Sequence, residues 1–362
     1  MCIKKIIIFV LVSCAVIPFR LIAGTPGDFN YSSAINTSLD LGSLPERVII
    51  WDGEKMYDDN VSFPNGAPSW YLFLTCLSNN DDSFGACPVN KVHWGLKGGT
   101  GVRLKFIEQR THISKTLTVN GWLNSLCGPT ENLANVTTAC SGFVQPKAYI
   151  YKNDLRNLIG GVWKATLKLR VGEWNNSDLE HAYWEANITL HVTDDKNIRI
   201  WLPQFYGSTA NVVMPVMPAY WALNKPGLVS AEKVVETCLY DGYNSNSQRF
   251  EVTLNSNYTD STTQDFLLQN TSEPTSKPLH YQVIASPPGQ SGAMQRLNPG
   301  ITQTYTGINS TGIRQVIMPG LQTPVACVPW PIRIKLLPFD LSRQAAGHYS
   351  GTFSITFTPS LD

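Results

Sequence analysis

The residues of this chain whose type and spacing most directly imply chemistry are its cysteines. Eight occur. Cys2 and Cys14 lie in an apolar leader, which leaves Cys76, Cys87, Cys127, Cys140, Cys238 and Cys327. An even set in an exported chain implies disulfides, although six cysteines admit about 15 pairings and sequence alone does not choose among them. The spacing suggests neighbours, Cys76 with Cys87 and Cys127 with Cys140, with Cys238 and Cys327 closing a loop of roughly 90 residues. No pair has CxxC spacing and no histidine follows another within a few residues, so neither a zinc site nor any other metal or cofactor is expected.

A second group suits recognition. Trp174, with Arg170, His181 and Trp184 on one expected hairpin, combines broad apolar ring area with polar groups, the surface that stacks on sugar rings. The same residues also fit a bland reading, with Trp184 in the core, Trp174 at a loop tip and Arg170 as an outward strand residue. Catalytic readings find less support. Asp81-Asp82 and Asp194-Asp195 fit turns better than the separated carboxyl pair of a glycosidase, and Gly289-Gln290-Ser291-Gly292 falls short of a GxSxG nucleophile elbow. A secreted β-sandwich glycoside hydrolase is the alternative to a non-enzymatic binding protein.

Residues 1–23 carry Lys4 and Lys5, an apolar run and small residues at Ala23-Gly24, the pattern of a cleavable signal peptide. No later apolar run reaches the ~20 residues that a membrane-spanning helix needs. Charged residues are only 15% and the formal net charge is +1, which argues against a nucleic-acid partner. Short runs rich in Val, Thr and Tyr, punctuated by Gly and Pro, indicate an all-β chain, and its length indicates two domains.

Strands are expected around 47–51, 70–76, 102–107 and 116–119, then a long hairpin from 162–171 and 183–192. A short helix is expected over Asp154–Ile159, capped by Asn153 or Asp154 and ended by Gly160-Gly161. A further strand is expected at 232–239, after a boundary near 201–204. The most regular pattern is the last, Gly347 to Pro359: Tyr349, Gly351, Phe353, Ile355 and Phe357 alternate with Ser and Thr. It reads as one half-buried strand whose edge a partner strand could join.

Several strings together resemble one family, the minor tip adhesins of colonisation-factor (class 5, alternate chaperone–usher) fimbriae. They are LRNLIGGVWKATLKLRV from Leu155, DDKNIRIWLPQF from Asp194, CLYDGYNSNS from Cys238, VIMPGLQTPVACVPWP from Val316 and AGHYSGTFSITFTPS from Ala346, in family order. The resemblance implies two Ig-like β-sandwich domains, an adhesin domain over 24–202 and a pilin domain over 203–362 that lacks its closing strand. It implies bridges Cys76–Cys87, Cys127–Cys140 and Cys238–Cys327. As partners it implies a periplasmic chaperone, an outer-membrane usher, the major pilin subunit as strand donor and a host-cell glycan or glycoprotein receptor. The chain would pass through the periplasm to the cell surface and stand at the fimbrium tip, with Tyr349, Phe353, Ile355 and Phe357 lining the groove for the donated strand. The chain departs from the family at the receptor site. Relatives carry an arginine pair just after the strand matching Lys168 to Val171, where this sequence has Glu173 and Trp174, and no arginine occurs between Arg47 and Arg103. The cationic patch that would suit sialylated sugars is therefore missing in that form.

Overall fold

The computed structural model describes residues 30–56, 72–90, 93–138, 144–174, 182–205, 209–219, 227–308 and 312–360. The leader and His181 lie outside the described residues. In the first half the strands are β1 (Tyr31–Asp40), β2 (Arg47–Asp52), β3 (Leu72–Thr75), β4 (Val102–Glu108) and β5 (Ser114–Ser125). They continue with β6 (Gly128–Pro129), β7 (Gln145–Tyr151), β8 (Gly161–Glu173) and β9 (Ala182–Thr193). Their sheet runs in the order β1-β9-β8-β4-β5-β7-β2, with β3 also on β8 and β6 on β5.

The expected long hairpin is present. β8 and β9 pair antiparallel from Gly161↔Val192 to Val171↔Ala182, and alternate residues of β9 from Ala182 to Val192 are buried. The helix differs from expectation: α1 is one turn, Lys152–Leu155, and no side chain caps it. Leu155, Leu158 and Ile159 are all buried, so packing against the sheet decides the conformation of this short stretch. β1 was not foreseen. Its inward set, Tyr31, Ser33, Ile35, Thr37 and Leu39, is too polar to announce a strand, yet it pairs in parallel with β9 over ten residues.

The second half comprises β10 (Arg199–Trp201), β11 (Met217–Pro218), β12 (Leu228–Val235), β13 (Cys238–Tyr240), β14 (Arg249–Ser256) and β15 (Phe266–Asn270). β16 (Leu279–Ala285), β17 (Gln295–Leu297), β18 (Gln303–Thr306) and β19 (Arg314–Val316) follow. β20 (Val325–Pro329), β21 (Ile332–Asp340), β22 (Tyr349–Ser350) and β23 (Phe353–Ser360) complete it. One layer is β11-β12-β21-β16-β15-β22 with β17 on β16, and the facing layer is β18-β14-β23. Rings meet across the core between them, Phe266 and Phe353 at 5.7 Å. The strand expected over 232–239 is two, β12 and β13, broken around Thr237, whose hydroxyl donates to Trp330 O.

A third sheet, β10-β13-β20-β19, joins the halves. Successive strand residues point to opposite faces, and here each face has its own core. Cys238, Tyr240, Val325 and Cys327 pack into the core of the first half, whereas Leu239 and Val328 pack into that of the second. A strand buried on both faces reads as a continuous apolar run, which is what Val325–Val328 is. The boundary expected near 201–204 thus falls just after a strand, β10, that hydrogen-bonds to β13. The Cys238–Cys327 disulfide ties β13 to β20 across 89 residues, a closure worth about 4–5 kcal/mol on the chain-entropy model. Cys76–Cys87 is likewise formed. Cys127 is disulfide-bonded, and its expected partner Cys140 lies outside the described residues.

Hydrogen bonds seal the joint. Asp194 N donates to Gly242 O at 2.8 Å, Arg110 Nη2 to Ser245 O at 3.1 Å, and His191 Nδ1 and Tyr243 Oη share a hydrogen bond of 2.7 Å. Gly160 lies so close to the opposing chain that a Cβ there would stand 2.0 Å from Gly242 O. Backbone cannot yield as a flexible side chain can, so Gly160→Ala should cost about 1–3 kcal/mol, the range for overpacking. Thermal melting and limited proteolysis of the 194–205 segment would check this; an unchanged Tm and cleavage rate would contradict it. The buried carboxyl of Asp194 is pushed above the usual carboxylate range by desolvation, and nearby Asp40 and Asp195 add to the rise. A raised folded-state pKa means stability that is present at low pH and lost as pH rises through that pKa. Asp194→Asn should therefore raise Tm at pH 7, since its amide oxygen can keep the hydrogen bond from Asn197 Nδ2. The gain should vanish as pH falls through the carboxylate range.

Candidate functional site: a distal aromatic pair and an open apolar edge

Two places in the fold present groups that other molecules could use. The first lies where β3 meets the end of β8, Leu72 pairing with Glu173 and Thr75 with Arg170. The loop after β3 is stapled at its start by Cys76–Cys87. Asn135, at φ +61°, reaches into that loop, its Nδ2 donating to Asn90 O at 3.0 Å. The Arg170 guanidinium does the same from β8, with Nη2 donating to Val89 O at 2.7 Å and Nε to Thr75 Oγ1 at 3.3 Å. These bonds fix the platform from which Trp94 projects. Its ring meets that of Trp174 at 4.9 Å with planes 61° apart, an edge-to-face pair. Trp94 is 52% exposed, and Trp174 is half-buried.

The structure therefore sorts the sequence candidates. Trp174 is on the surface beside Trp94, a residue that sequence reasoning missed. Arg170 spends its guanidinium on holding the loop. Trp184 is a correction: it is 1% exposed, meeting Tyr31 at 4.5 Å and Trp51 at 5.4 Å, so it is a core residue that no receptor touches. His181 lies outside the described residues. Asp81-Asp82 lies at a turn, Asp82 O accepting from Gly85 N at 3.3 Å, whereas the buried Asp194 precedes a one-turn 3-10 helix that Asp195 begins. Asp81 accepts from Ser83 N, and its carboxyl sits below the usual range through its bonds to Ser83. Burial works to raise the Asp82 carboxyl, but Thr116 and Lys105 outweigh it and hold it low. Neither acid is placed to store a proton for glycoside cleavage.

The second place is the last strand. β23 pairs with β14 from Ser256↔Phe353 to Arg249↔Ser360 and, among the described residues, has no strand on its other edge. Phe353, Ile355 and Phe357 point into the second core yet remain only partly buried. Phe357 meets Phe250 edge-on at 4.9 Å. The expected single strand is interrupted at Gly351-Thr352. Gly351 is crowded by Leu267 O, 2.6 Å from where a Cβ would stand, and the chain changes sheets there. Tyr349 consequently pairs with Asn270 in the opposite layer and packs on the same core from that side. A second segment, 209–216, enters no strand ladder among the described residues. Its Val212 and Met214 turn half-buried side chains to the same core, while Val213 is 75% exposed. The second core is thus partly wet where β23 and 209–216 leave it uncovered.

Comparison with known proteins fits this geometry. Residues 23–195 match the family model for the first domain of CfaE, a CFA/I fimbrial subunit, and residues 198–361 match the model for its second domain. The CFA/I fimbrial protein CfaE of Escherichia coli is 30% identical over 354 residues, 92% of each chain. The crystal structure of CfaE, the adhesive subunit of the CFA/I fimbria of enterotoxigenic Escherichia coli, superposes with a TM-score of 0.75 at 25% identity, covering 92% of this chain and 94% of the other. A structure described as a chaperone–tip adhesin complex in CFA/I fimbriae biogenesis gives a TM-score of 0.65 at 25% identity, covering 92% of this chain and 97% of the other. The architecture is accordingly two Ig-like β-sandwich domains, the second lacking its closing strand.

Proposed function

Because the chain belongs to the CfaE family of CFA/I fimbrial proteins, we propose that it works as the tip adhesin of a chaperone–usher fimbrium. Residues 24 to about 202 form the receptor-binding domain, and 203–362 form the pilin domain that joins it to the fibre. The observation that carries this reading is the open edge of β23 above a half-wet core. A strand supplied by another chain would hydrogen-bond along that edge and cover Phe353, Ile355 and Phe357. A periplasmic chaperone supplies such a strand first, the usher exchanges subunits, and the major pilin's N-terminal extension replaces it in the fibre.

The three inward side chains of β23, with Val212 and Met214, are already mostly covered, so completing their burial gains about 0.5 kcal/mol each, a fraction of the ~1.5–3 kcal/mol for full burial of a large apolar group. The total, roughly 2–3 kcal/mol, is a sizeable part of a whole domain's net stability of ~5–15 kcal/mol. Fusing the major pilin's N-terminal extension after Asp362 through a short flexible linker should therefore raise Tm and suppress light scattering in the absence of chaperone. Equal melting and equal scattering for the fused and unfused chains would mean that the sandwich is already closed.

Receptor contact is proposed for the Trp94–Trp174 pair, whose exposed ring area suits a sugar face. With Glu173 and Trp174 in the positions where relatives carry arginines, recognition should not depend on sialic acid. Trp94→Ala and Trp174→Ala should each weaken attachment of the full chain to host cells roughly tenfold, the scale of an interface anchor, with Tm unchanged. Attachment should survive sialidase treatment of the cells. Full attachment by both variants would remove the tip from the reading.

A further inference from the structure

A second aromatic surface lies on the outward face of β2, β7 and β5, separated from β8 by β4 in the sheet order. Register places it there. Tyr149 lies opposite Ile49 on β2 and Asn120 on β5, while Tyr151 lies opposite Arg47 and Lys147 opposite Trp122. The rings form one line, Trp122 to Tyr149 at 5.7 Å and Tyr149 to Tyr151 at 4.8 Å, both edge-to-face. Arg47 covers the Tyr149 ring at 5.2 Å, and the two phenol hydroxyls share a hydrogen bond of 3.0 Å. Tyr149 is only 8% exposed beneath Arg47, so the accessible ring area is that of Tyr151, 46% exposed, and of the half-buried Trp122, beside Ile49 at 46%. Beside Tyr151 opens a groove of about 460 Å³ bounded by Thr118, Asn120, Lys152, Asn153 and Arg156.

The charge around this face is largely paired internally. Lys152 is bound to Glu46 at 3.0 Å and Lys147 to Asp52 at 2.7 Å. Asp154 and Arg156, of opposite sign, line the same groove. Flat apolar ring area beside amide and hydroxyl groups, with Arg47 the one cation in excess of the acids named, fits a ligand that has apolar CH faces and many neutral hydroxyls. An apolar protein partner would leave those polar groups unpaired, and an acidic sugar would find no concentrated positive field.

We propose that the face formed by Trp122, Tyr149 and Tyr151, with its adjoining groove, binds a neutral oligosaccharide at a site distinct from the Trp94–Trp174 tip. The proposal rests on the reading of the first domain as receptor-binding and gives that domain a second point of attachment. The test uses the full chain and a fixed panel of unsialylated galactose-, glucose- and N-acetylglucosamine-based oligosaccharides, read by saturation-transfer NMR and by titration. At least one panel sugar should bind, and Tyr151→Ser should weaken that binding about three- to tenfold, the loss expected of one stacking ring. Tyr151→Phe, which keeps the ring, should retain most of it, and both variants should keep the wild-type Tm. Trp174→Ala should leave this binding intact. No binding by any panel sugar, or wild-type binding by Tyr151→Ser, overturns the proposal. If Tyr151→Ser retains both sugar binding and cell attachment while Trp174→Ala loses attachment, this second site falls and the tip reading stands. If Tyr151→Ser loses sugar binding and Trp174→Ala keeps full attachment, the second site stands and the tip reading falls.

Discussion

An edge strand with backbone groups to offer on its open side, lying over a core that it only half covers, is the constraint on which the second domain depends. β23 is eight residues long and well formed, its alternation is clean, and its ladder with β14 is continuous. It is therefore a finished strand in an unfinished sandwich. Water can satisfy the amides and carbonyls of its open edge, but it cannot favourably solvate Phe353, Ile355 and Phe357. The apolar side chains make the incompleteness costly, and the hydrogen-bonding edge makes its remedy directional.

The sheet between the halves works in the opposite sense, because it leaves nothing open. Leu239 and Cys238 are neighbours in sequence but serve different cores, as do Cys327 and Val328. With both faces of one short sheet used, the two domains share a wall. The Cys238–Cys327 bridge lies in that wall, so the element that separates the cores is also the one that is covalently fixed. Loss of the bridge would loosen both domains together.

Much of this was legible in the sequence because it is local. The alternation in β8, β9 and β23, and the spacing of Cys76 with Cys87 and of Cys238 with Cys327, predicted elements that formed. What was missed depends on distant backbone. The break at Gly351 follows from the approach of Leu267 O, which no window around residue 351 contains. The parallel strand β1 is stabilised by β9, some 150 residues away. Trp184 could have been placed correctly, since it shares parity with Ala186, Ile188, Leu190 and Val192, an apolar set that can only face inward. Trp94 had a fainter signal, a large aromatic residue in a glycine-punctuated loop, and only Trp174 across the gap gives it meaning.

The parallel pairing of β1 with β9 fixes how the first described strand is used. All ten of its residues, Tyr31 to Asp40, are committed to the chain's own sheet, so they are not free to complete another chain's sandwich while that pairing holds. With its edge open at β23 and β1 already paired, the fold treats its first and last described strands unequally: one is engaged on its own sheet, the other still has a side to offer.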